Sequence, residues 1–198
     1  MPNFEKLIQG LQLLSGRLYI AGSTQYSLVV CGGTALIATE LVQRTTLDVD
    51  IVAMADSNDN LIDPAPLPEP LVTAAQEVAT DLGLPDDWLN NGPSSGDGGL
   101  FRLGLPSGLS ERLVWKTYGP KLRIAFISRY DQIHFKLYAA VDQFGSYHAA
   151  DLKELNPTDE ELLAALSWSR SHDPSSGYLE CVRLFFKEFG YEHLIDRI

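Results

Sequence analysis

Residues 27–53 of the chain read SLVVCGGTALIATELVQRTTLDVDIVA. A short apolar run, Leu28–Cys31, is typical of a buried strand, and the two glycines that follow it permit a tight turn. From Thr34 onward, apolar residues recur at helical spacing, which predicts a helix. A second apolar run then carries Asp48 and Asp50 in alternation with aliphatic residues. The segment therefore predicts a strand, a glycine turn, a helix and a second strand.

The two aspartates lie two residues apart on the second predicted strand, so we expect their side chains on one face of it. Two carboxylates on one face repel each other without a cation, and carboxylate oxygens are ligands that suit Mg²⁺. The turn ahead of them, Gly32-Gly33, leads into a helix whose N-terminal N–H groups suit a phosphate. A metal ion and a phosphate at one place indicate nucleotide chemistry.

This ordered set of features resembles the signature of a known superfamily. The matching residues are Gly32-Gly33-Thr34-Ala35-Leu36 and Arg44-x-Thr46-x-Asp48-Val49-Asp50, and they look like the motifs of the DNA polymerase β-like nucleotidyltransferases. Within that superfamily, the chain is most similar to the bacterial group that includes the AbiEii-type toxins of type IV toxin–antitoxin systems. A glycine pair alone is commonly only a turn, and an Asp-x-Asp alone is common on solvated strands. The resemblance rests on the order of the whole set.

The resemblance implies a role for each of these residues. Gly32, Gly33 and Thr34 are expected to hold the nucleotide phosphates, and Asp48 and Asp50 are expected to bind the catalytic Mg²⁺. Arg44 is expected to pair with an aspartate, although it could also reach a phosphate.

A second pair of motifs resembles the same group of enzymes. The segment HFKLYAA at 134–140 and the segment HAADLKEL at 148–155 are similar to its Lys-Leu-x-Ala and Asp-Leu-x-x-Leu helices. The resemblance implies that Lys136 holds nucleotide phosphate and that Asp151 completes the site. Burying a lysine among apolar neighbours is unfavourable unless it meets an anion, which a phosphate or Asp151 could supply. The alternative is a lysine that extends to the surface and pairs with a carboxylate there.

The chain departs from the superfamily pattern in one respect. Many members place a third carboxylate on a strand after the Asp-x-Asp. The segments Arg112–Tyr118 and Leu122–Ile127, which we predict to form a hairpin across Gly119-Pro120, contain no acidic residue, and the expected position lies near Arg123. Three interpretations stay open: Asp151 replaces this carboxylate, a second metal is held poorly, or the chain binds nucleotide without fast turnover.

Composition restricts the class of protein. A chain of 198 residues with 45% hydrophobic residues can bury one sizeable core. The formal net charge of −11 argues against broad binding to nucleic acid, which depends on cationic contacts to phosphate. Acidic residues dominate 40–97 and basic residues dominate 102–136. This asymmetry fits an acidic metal-binding half and a basic substrate-binding half, and equally fits uneven solvated faces.

The remaining elements follow from periodicity and turn residues. The sequence predicts helices over 3–15, 71–82, 129–144, 149–155, from 158 through 168 with a Thr158–Glu161 capping box, and from 176 through 189. It predicts an exposed loop over 56–70 and, over 85–99, a segment too polar to order itself. Trp88 there is expected either to plug the core or to contact substrate. No signal peptide or membrane span is recognised and the two cysteines are far apart, which predicts a cytoplasmic protein.

Taken together, the sequence predicts an α/β (α+β) fold in which residues 1–128 form a nucleotidyltransferase core on a small mixed sheet. Residues 129–198 form a helical part that completes the nucleotide site. The predicted function is Mg²⁺-dependent transfer of a nucleotidyl group from an NTP to an acceptor such as tRNA or protein, as the toxin of a pair with a cognate antitoxin. The alternatives are a nucleotide-binding or partner-regulated module without efficient catalysis, and a small-molecule nucleotidyltransferase of the antibiotic-modifying type.

Overall fold

The structure is a computed structural model that describes residues 2–38, 46 and 48–198, with side chains from residue 5 onward. The described chain divides into two compact units, residues 1–128 and 129–198. A mixed sheet with helices forms the first unit, and helices form the second. The predicted α/β class is confirmed.

The first unit carries all the described strands. Its helices are α1 (Pro2–Ile20), α2 (Gly32–Ala38), α3 (Glu69–Leu82) and α4 (Leu100–Leu103). Its strands are β1 (Tyr26–Cys31), β2 (Val49–Ala55), β3 (Leu61–Ile62), β4 (Leu89–Asn90), β5 (Val114–Thr117) and β6 (Leu122–Phe126). Among the described residues the strands form one sheet in the order β3-β2-β1-β6-β5, with β4 also paired to β2. The predicted hairpin is present, since β5 and β6 are antiparallel neighbours.

Helices α1 and α3 cover one face of this sheet. Their apolar positions at helical spacing, such as Leu7, Leu11, Leu14 and Val78, are fully buried in one core with β1, β2 and β6. Helix α1 runs five residues beyond its predicted end, because Leu18 extends the apolar face by another turn and is also fully buried.

The segment 85–99 differs from its prediction. Trp88 has no exposed surface, and its indole Nε1 donates a hydrogen bond to the carbonyl oxygen of Ala75 at 2.9 Å. Ser94 is also fully buried and donates from its hydroxyl to the carbonyl oxygen of Val52 at 2.7 Å. The prediction that this segment cannot order itself is therefore wrong, because two side chains anchor it to the core. Of the two interpretations of Trp88, the core plug is the one the structure contains.

The second unit consists of α5 (Arg129–Asp142), α6 (Tyr147–Glu154), α7 (Asp159–His172) and α8 (Ser176–Phe189). Helix α5 ends two residues before its predicted end, and Gly145 follows in the left-handed region at φ +79°. The predicted capping box of α7 is confirmed: Thr158 accepts from the backbone N–H of Glu161, whose carboxylate accepts from the N–H of Thr158.

Glu161 also joins the start of α5 to the start of α7. The Arg129 guanidinium donates two hydrogen bonds to its carboxylate, at 2.6 and 3.1 Å. Burial by itself would raise the pKa of Glu161, but the bonds from Arg129 and Thr158 outweigh burial and hold this pKa below its ordinary value. A carboxyl with a lowered pKa stabilises the folded chain above its unfolded pKa, and this stabilisation is lost as the pH falls through the folded pKa.

We therefore expect Glu161→Gln to lower the free energy of unfolding by about 1 kcal/mol at pH 7. Urea denaturation between pH 7 and pH 3 should show a shallower loss of stability in the variant than in the parent, since the variant no longer has this carboxylate to protonate. Glu160→Gln is the matched control, because Glu160 is exposed on the same helix. Equal pH profiles for the parent and Glu161→Gln would contradict this account.

Candidate functional site

The glycine turn and Asp50 meet where β1 ends. Gly32 follows β1 directly and adopts φ +68°, which lies in the left-handed region that favours glycine. Cys31, the last residue of β1, is the register partner of Asp50 on β2. A Cβ built on Gly32 would overlap Oδ2 of Asp50. The carboxylate of Asp50 therefore packs against the backbone of the turn, at a distance that only glycine permits.

Asp48 lies outside the strand on which it was predicted. Strand β2 begins at Val49, so Asp50 belongs to the strand and Asp48 precedes it, with its side chain exposed. The carbonyl oxygen of Asp48 accepts a hydrogen bond from the Thr34 hydroxyl. The carboxylate of Asp48 accepts a hydrogen bond from the Thr46 hydroxyl. Asp50 is half-buried, so the two carboxylates differ in their exposure to water.

Thr34 and Gly33 are both buried at the start of α2. With 1% of its surface exposed, Thr34 uses its hydroxyl to join α2 to the backbone just before β2. In this arrangement Thr34 fixes the position of the turn relative to Asp48. Gly32 and Gly33 are the first two residues of α2, so the glycine turn is the first turn of this helix, which begins two residues before its predicted start at Thr34. Arg44, the remaining predicted residue of this group, lies outside the described residues.

Two residues at this site were given no role by the sequence analysis. Asn90 on β4 is the register partner of Asp50, and its side-chain Nδ2 donates a hydrogen bond to Asp50 Oδ1 at 3.2 Å. The feature of the sequence that could have pointed to Asn90 is its place two residues after Trp88, which the structure buries. Thr46, whose hydroxyl donates to the Asp48 carboxylate, belongs to the Arg44-x-Thr46-x-Asp48 motif. The sequence feature that could have pointed to this role is a hydroxyl two residues before a carboxylate.

The strand on which a third carboxylate was sought carries a basic side chain instead. Arg123 on β6 forms an ion pair with Asp59, with Nη1 and Oδ1 3.1 Å apart, and its guanidinium lies 4.5 Å from the centre of the Trp115 ring. Arg102 similarly pairs with Asp63 at 2.9 Å. The hydrogen bond from Arg102, together with one from a backbone N–H, holds the pKa of Asp63 below its usual range. These two basic residues of 102–136 therefore meet acidic residues of 40–97 directly.

Lys136 and Asp151 belong to the second unit, where they meet each other. Lys136 Nζ lies 2.7 Å from Asp151 Oδ2, and the two side chains are only 4% and 5% exposed. His148 Nδ1 lies 3.4 Å from the same ammonium, and the centre of the Tyr147 ring lies 5.4 Å from it. Of the anions considered for this buried lysine, Asp151 is the one beside it in the structure.

The buried pair has a clear energetic consequence. Transferring either charge alone from water into the unit would cost several kcal/mol, and the partner offsets this cost only while both are present. The pair joins α5 to α6, since one residue lies on each helix.

Among the described residues, no group of three or more His, Cys, Asp or Glu side chains is arranged to hold a metal ion. Within the same residues, no helix is long and apolar enough to cross a membrane. Comparison with known proteins gives no match, whether with protein-family models, curated proteins or solved structures.

Proposed function

We propose that the chain is a Mg²⁺-dependent nucleotidyltransferase of the DNA polymerase β-like superfamily, which transfers a nucleotidyl group from an NTP to an acceptor. The observation that carries this proposal is the contact between the Gly32 turn and the carboxylate of Asp50, with the exposed carboxylate of Asp48 on the same short segment. A phosphate-binding turn and a metal-binding carboxylate must be neighbours in such an enzyme, because the metal would neutralise charge on the phosphates that the turn holds.

The donor set at this place fits Mg²⁺. Asp48 and Asp50 supply carboxylate oxygens, which hard cations prefer, and Mg²⁺ commonly uses one or two carboxylates together with water and substrate phosphates. These two residues would hold the ion, so a third protein carboxylate is not required. When bound, Mg²⁺ would neutralise the charge that develops on the phosphate of the transferred nucleotidyl group and on the pyrophosphate that leaves.

The other residues act through position. Gly32 and Gly33 would present backbone N–H groups to the phosphates, because a turn without side chains allows a close approach. Thr34 would hold this turn against Asp48, and Thr46 would orient the Asp48 carboxylate. Asp50 would be held by Asn90. For Lys136 and Asp151 we keep the roles that the resemblance implies, phosphate binding and completion of the site, as part of the proposal.

The proposal predicts that each aspartate is needed for nucleotide binding. Asp48→Asn or Asp50→Asn should weaken Mg·NTP affinity at least tenfold, about 1.4 kcal/mol, because each removes a charged ligand. The fold should stay intact, since the replacement is isosteric and removes a negative charge beside another. Isothermal calorimetry with each of the four NTPs, with and without Mg²⁺, measures the affinity, and urea denaturation checks the fold.

Asp97→Asn is the control, because Asp97 is fully exposed and makes the same change of charge. Transfer is followed with α-labelled NTP and RNA, protein and small-molecule acceptors. Parent-like Mg·NTP affinity in both the Asp48 and the Asp50 variants would show that the nucleotide binds elsewhere.

A second function is favoured by the pairing of Lys136 with Asp151. A lysine already neutralised by a buried carboxylate has less charge to offer a phosphate, which suits a nucleotide-binding module without efficient catalysis. Metal-dependent NTP consumption with any acceptor separates the two functions. As a toxin, the chain would act in the cytoplasm and be neutralised by a cognate antitoxin. This assignment is tested by measuring the growth of cells that express the chain with and without the neighbouring reading frame.

A further inference from the structure

The side chain of Asn90 is held at both ends. Its Nδ2 donates to Asp50 Oδ1 at 3.2 Å, and its Oδ1 accepts from the backbone N–H of Gly92 at 2.8 Å. These partners fix the orientation of the amide, because a carboxylate can only accept here and a backbone N–H can only donate. Nδ2 also donates to the carbonyl oxygen of Asp87 at 3.2 Å. One amide thus joins Asp50 to the loop that follows β4.

The contacts of Asp50 make this link specific. Its Oδ1 accepts from Asn90, while its Oδ2 lies against the Gly32 turn, where a Cβ would overlap it. Both carboxylate oxygens therefore have a fixed neighbour: Asn90 on β4 contacts Oδ1, and Gly32 just after β1 contacts Oδ2. Gly92 contributes to the fit, since a Cβ there would lie 2.9 Å from Asn90 Oδ1.

The charge of residue 90 matters because of its register. Asn90 is the register partner of Asp50 in the parallel pairing of β4 with β2, and its side chain touches the Asp50 carboxylate, so a second negative charge there would be destabilising. A neutral amide in this place donates to the carboxylate and leaves its negative charge available to a cation. A carboxylate in this place would instead repel Asp50 in the absence of metal and supply a further Mg²⁺ ligand in its presence.

We propose that Asn90 is a positioning residue of the metal site: it orients the carboxylate of Asp50 toward the cation and links that carboxylate to the loop at Gly92. The proposal deepens the proposed function and rests on it for the nucleotide. The orientation of Asp50 by Asn90 can be tested with Mg²⁺ alone.

The test compares Asn90→Asp, Asn90→Ala and Gly92→Ala by thermal unfolding during a Mg²⁺ titration without nucleotide. Asn90→Asp keeps the acceptor for the Gly92 N–H but replaces the donor to Asp50 with a like charge. We expect its Tm to fall by several degrees without Mg²⁺ and to recover with millimolar Mg²⁺. Asn90→Ala should lower Tm without recovery. In Mg·NTP binding, Asn90→Ala and Gly92→Ala should each raise the half-saturating Mg²⁺ concentration several-fold.

Asn91→Asp is the matched control. It adds the same charge one residue further along and loses one hydrogen bond, from Asn91 Nδ2 to the carbonyl oxygen of Pro64 at 3.0 Å, without touching Asp50. A purely structural role would leave the half-saturating Mg²⁺ concentration of Asn90→Ala like that of the parent. That result, or an equal response of Asn90→Asp and Asn91→Asp to Mg²⁺, would overturn the proposal. If Mg²⁺ stabilises the parent and Asn90→Ala reduces that stabilisation, but neither protein binds Mg·NTP, the positioning of Asp50 stands and the nucleotide function fails.

Discussion

Replacing Lys136 with methionine is expected to lower the free energy of unfolding by about 3–5 kcal/mol, because it leaves the Asp151 carboxylate buried without its cation. Methionine keeps most of the apolar stem of the lysine, so the lost packing is small and the effect is electrostatic. The magnitude follows from burial: at the surface a similar pair would contribute about 1 kcal/mol or less.

The double variant Lys136→Met, Asp151→Leu separates this effect from other causes. It removes both charges together, so most of the lost stability should return, as is found when buried ion pairs are replaced by apolar side chains. Lys153→Met serves as the control, since Lys153 is exposed on α6. Urea denaturation of the parent, Lys136→Met, Asp151→Leu and the double variant completes a double-mutant cycle. A loss below about 1 kcal/mol in Lys136→Met would mean that the pair is open to water in solution.

The same variants address nucleotide binding. If phosphate uses the charge of Lys136, the double variant should recover stability while Mg·NTP affinity stays low. Recovery of both would assign Lys136 to the fold alone.

Replacing Gly32 with alanine is expected to reduce Mg·NTP affinity about 100-fold, roughly 2.7 kcal/mol. The left-handed backbone at φ +68° becomes strained with any side chain, and the new Cβ would displace the carboxylate of Asp50 from its place against the turn. The substitution thus moves a proposed phosphate-binding turn and a proposed metal ligand at once.

Gly22→Ala is the control that reproduces the backbone strain without displacing a carboxylate. Gly22 has φ +66°, nearly the same as Gly32, but nothing lies within 4 Å of a Cβ built on it. Both variants should lose about 1–2 kcal/mol of stability from backbone strain, measured by thermal unfolding, whereas only Gly32→Ala should lose nucleotide affinity. Equal nucleotide affinity in the two variants would contradict the assignment of the Gly32 turn to the site.

The sequence was informative where a local rule decides the structure. The glycine pair after an apolar run predicted where the chain turns out of β1, at Gly32, although α2 begins at this pair rather than after it. Hydrophobic periodicity predicted α1 and α3. The capping box at Thr158 placed the start of α7 to the residue. These features depend on residues near one another in the chain, so the sequence displays them directly.

The features that the sequence did not reveal depend on long-range partners. Strand β4 has two residues, and it exists because it pairs with the start of β2 some forty residues earlier. Asn90 gains its contact with Asp50 only through that pairing. The polar composition of 85–99 predicted a segment without a core, because nothing local shows that Trp88 and Ser94 reach buried carbonyl oxygens. For Lys136, the sequence left open whether its anionic partner is a phosphate or Asp151.

The pairing of β1 with β6 also sets an order for events during synthesis. Strand β1 (Tyr26–Cys31) lies between β2 and β6 in the sheet, and Val30 is the register partner of Phe126. A nascent chain that has left the ribosome only as far as α3 can pair β1 with β2, but the opposite edge of β1 has no strand to meet. Contacts between residues so distant in the chain form slowly, and an unpaired apolar edge invites pairing with another chain. The glycine turn is therefore translated early among the parts of the site, whereas β1, the strand beside it, gains its second neighbour only when β6 emerges.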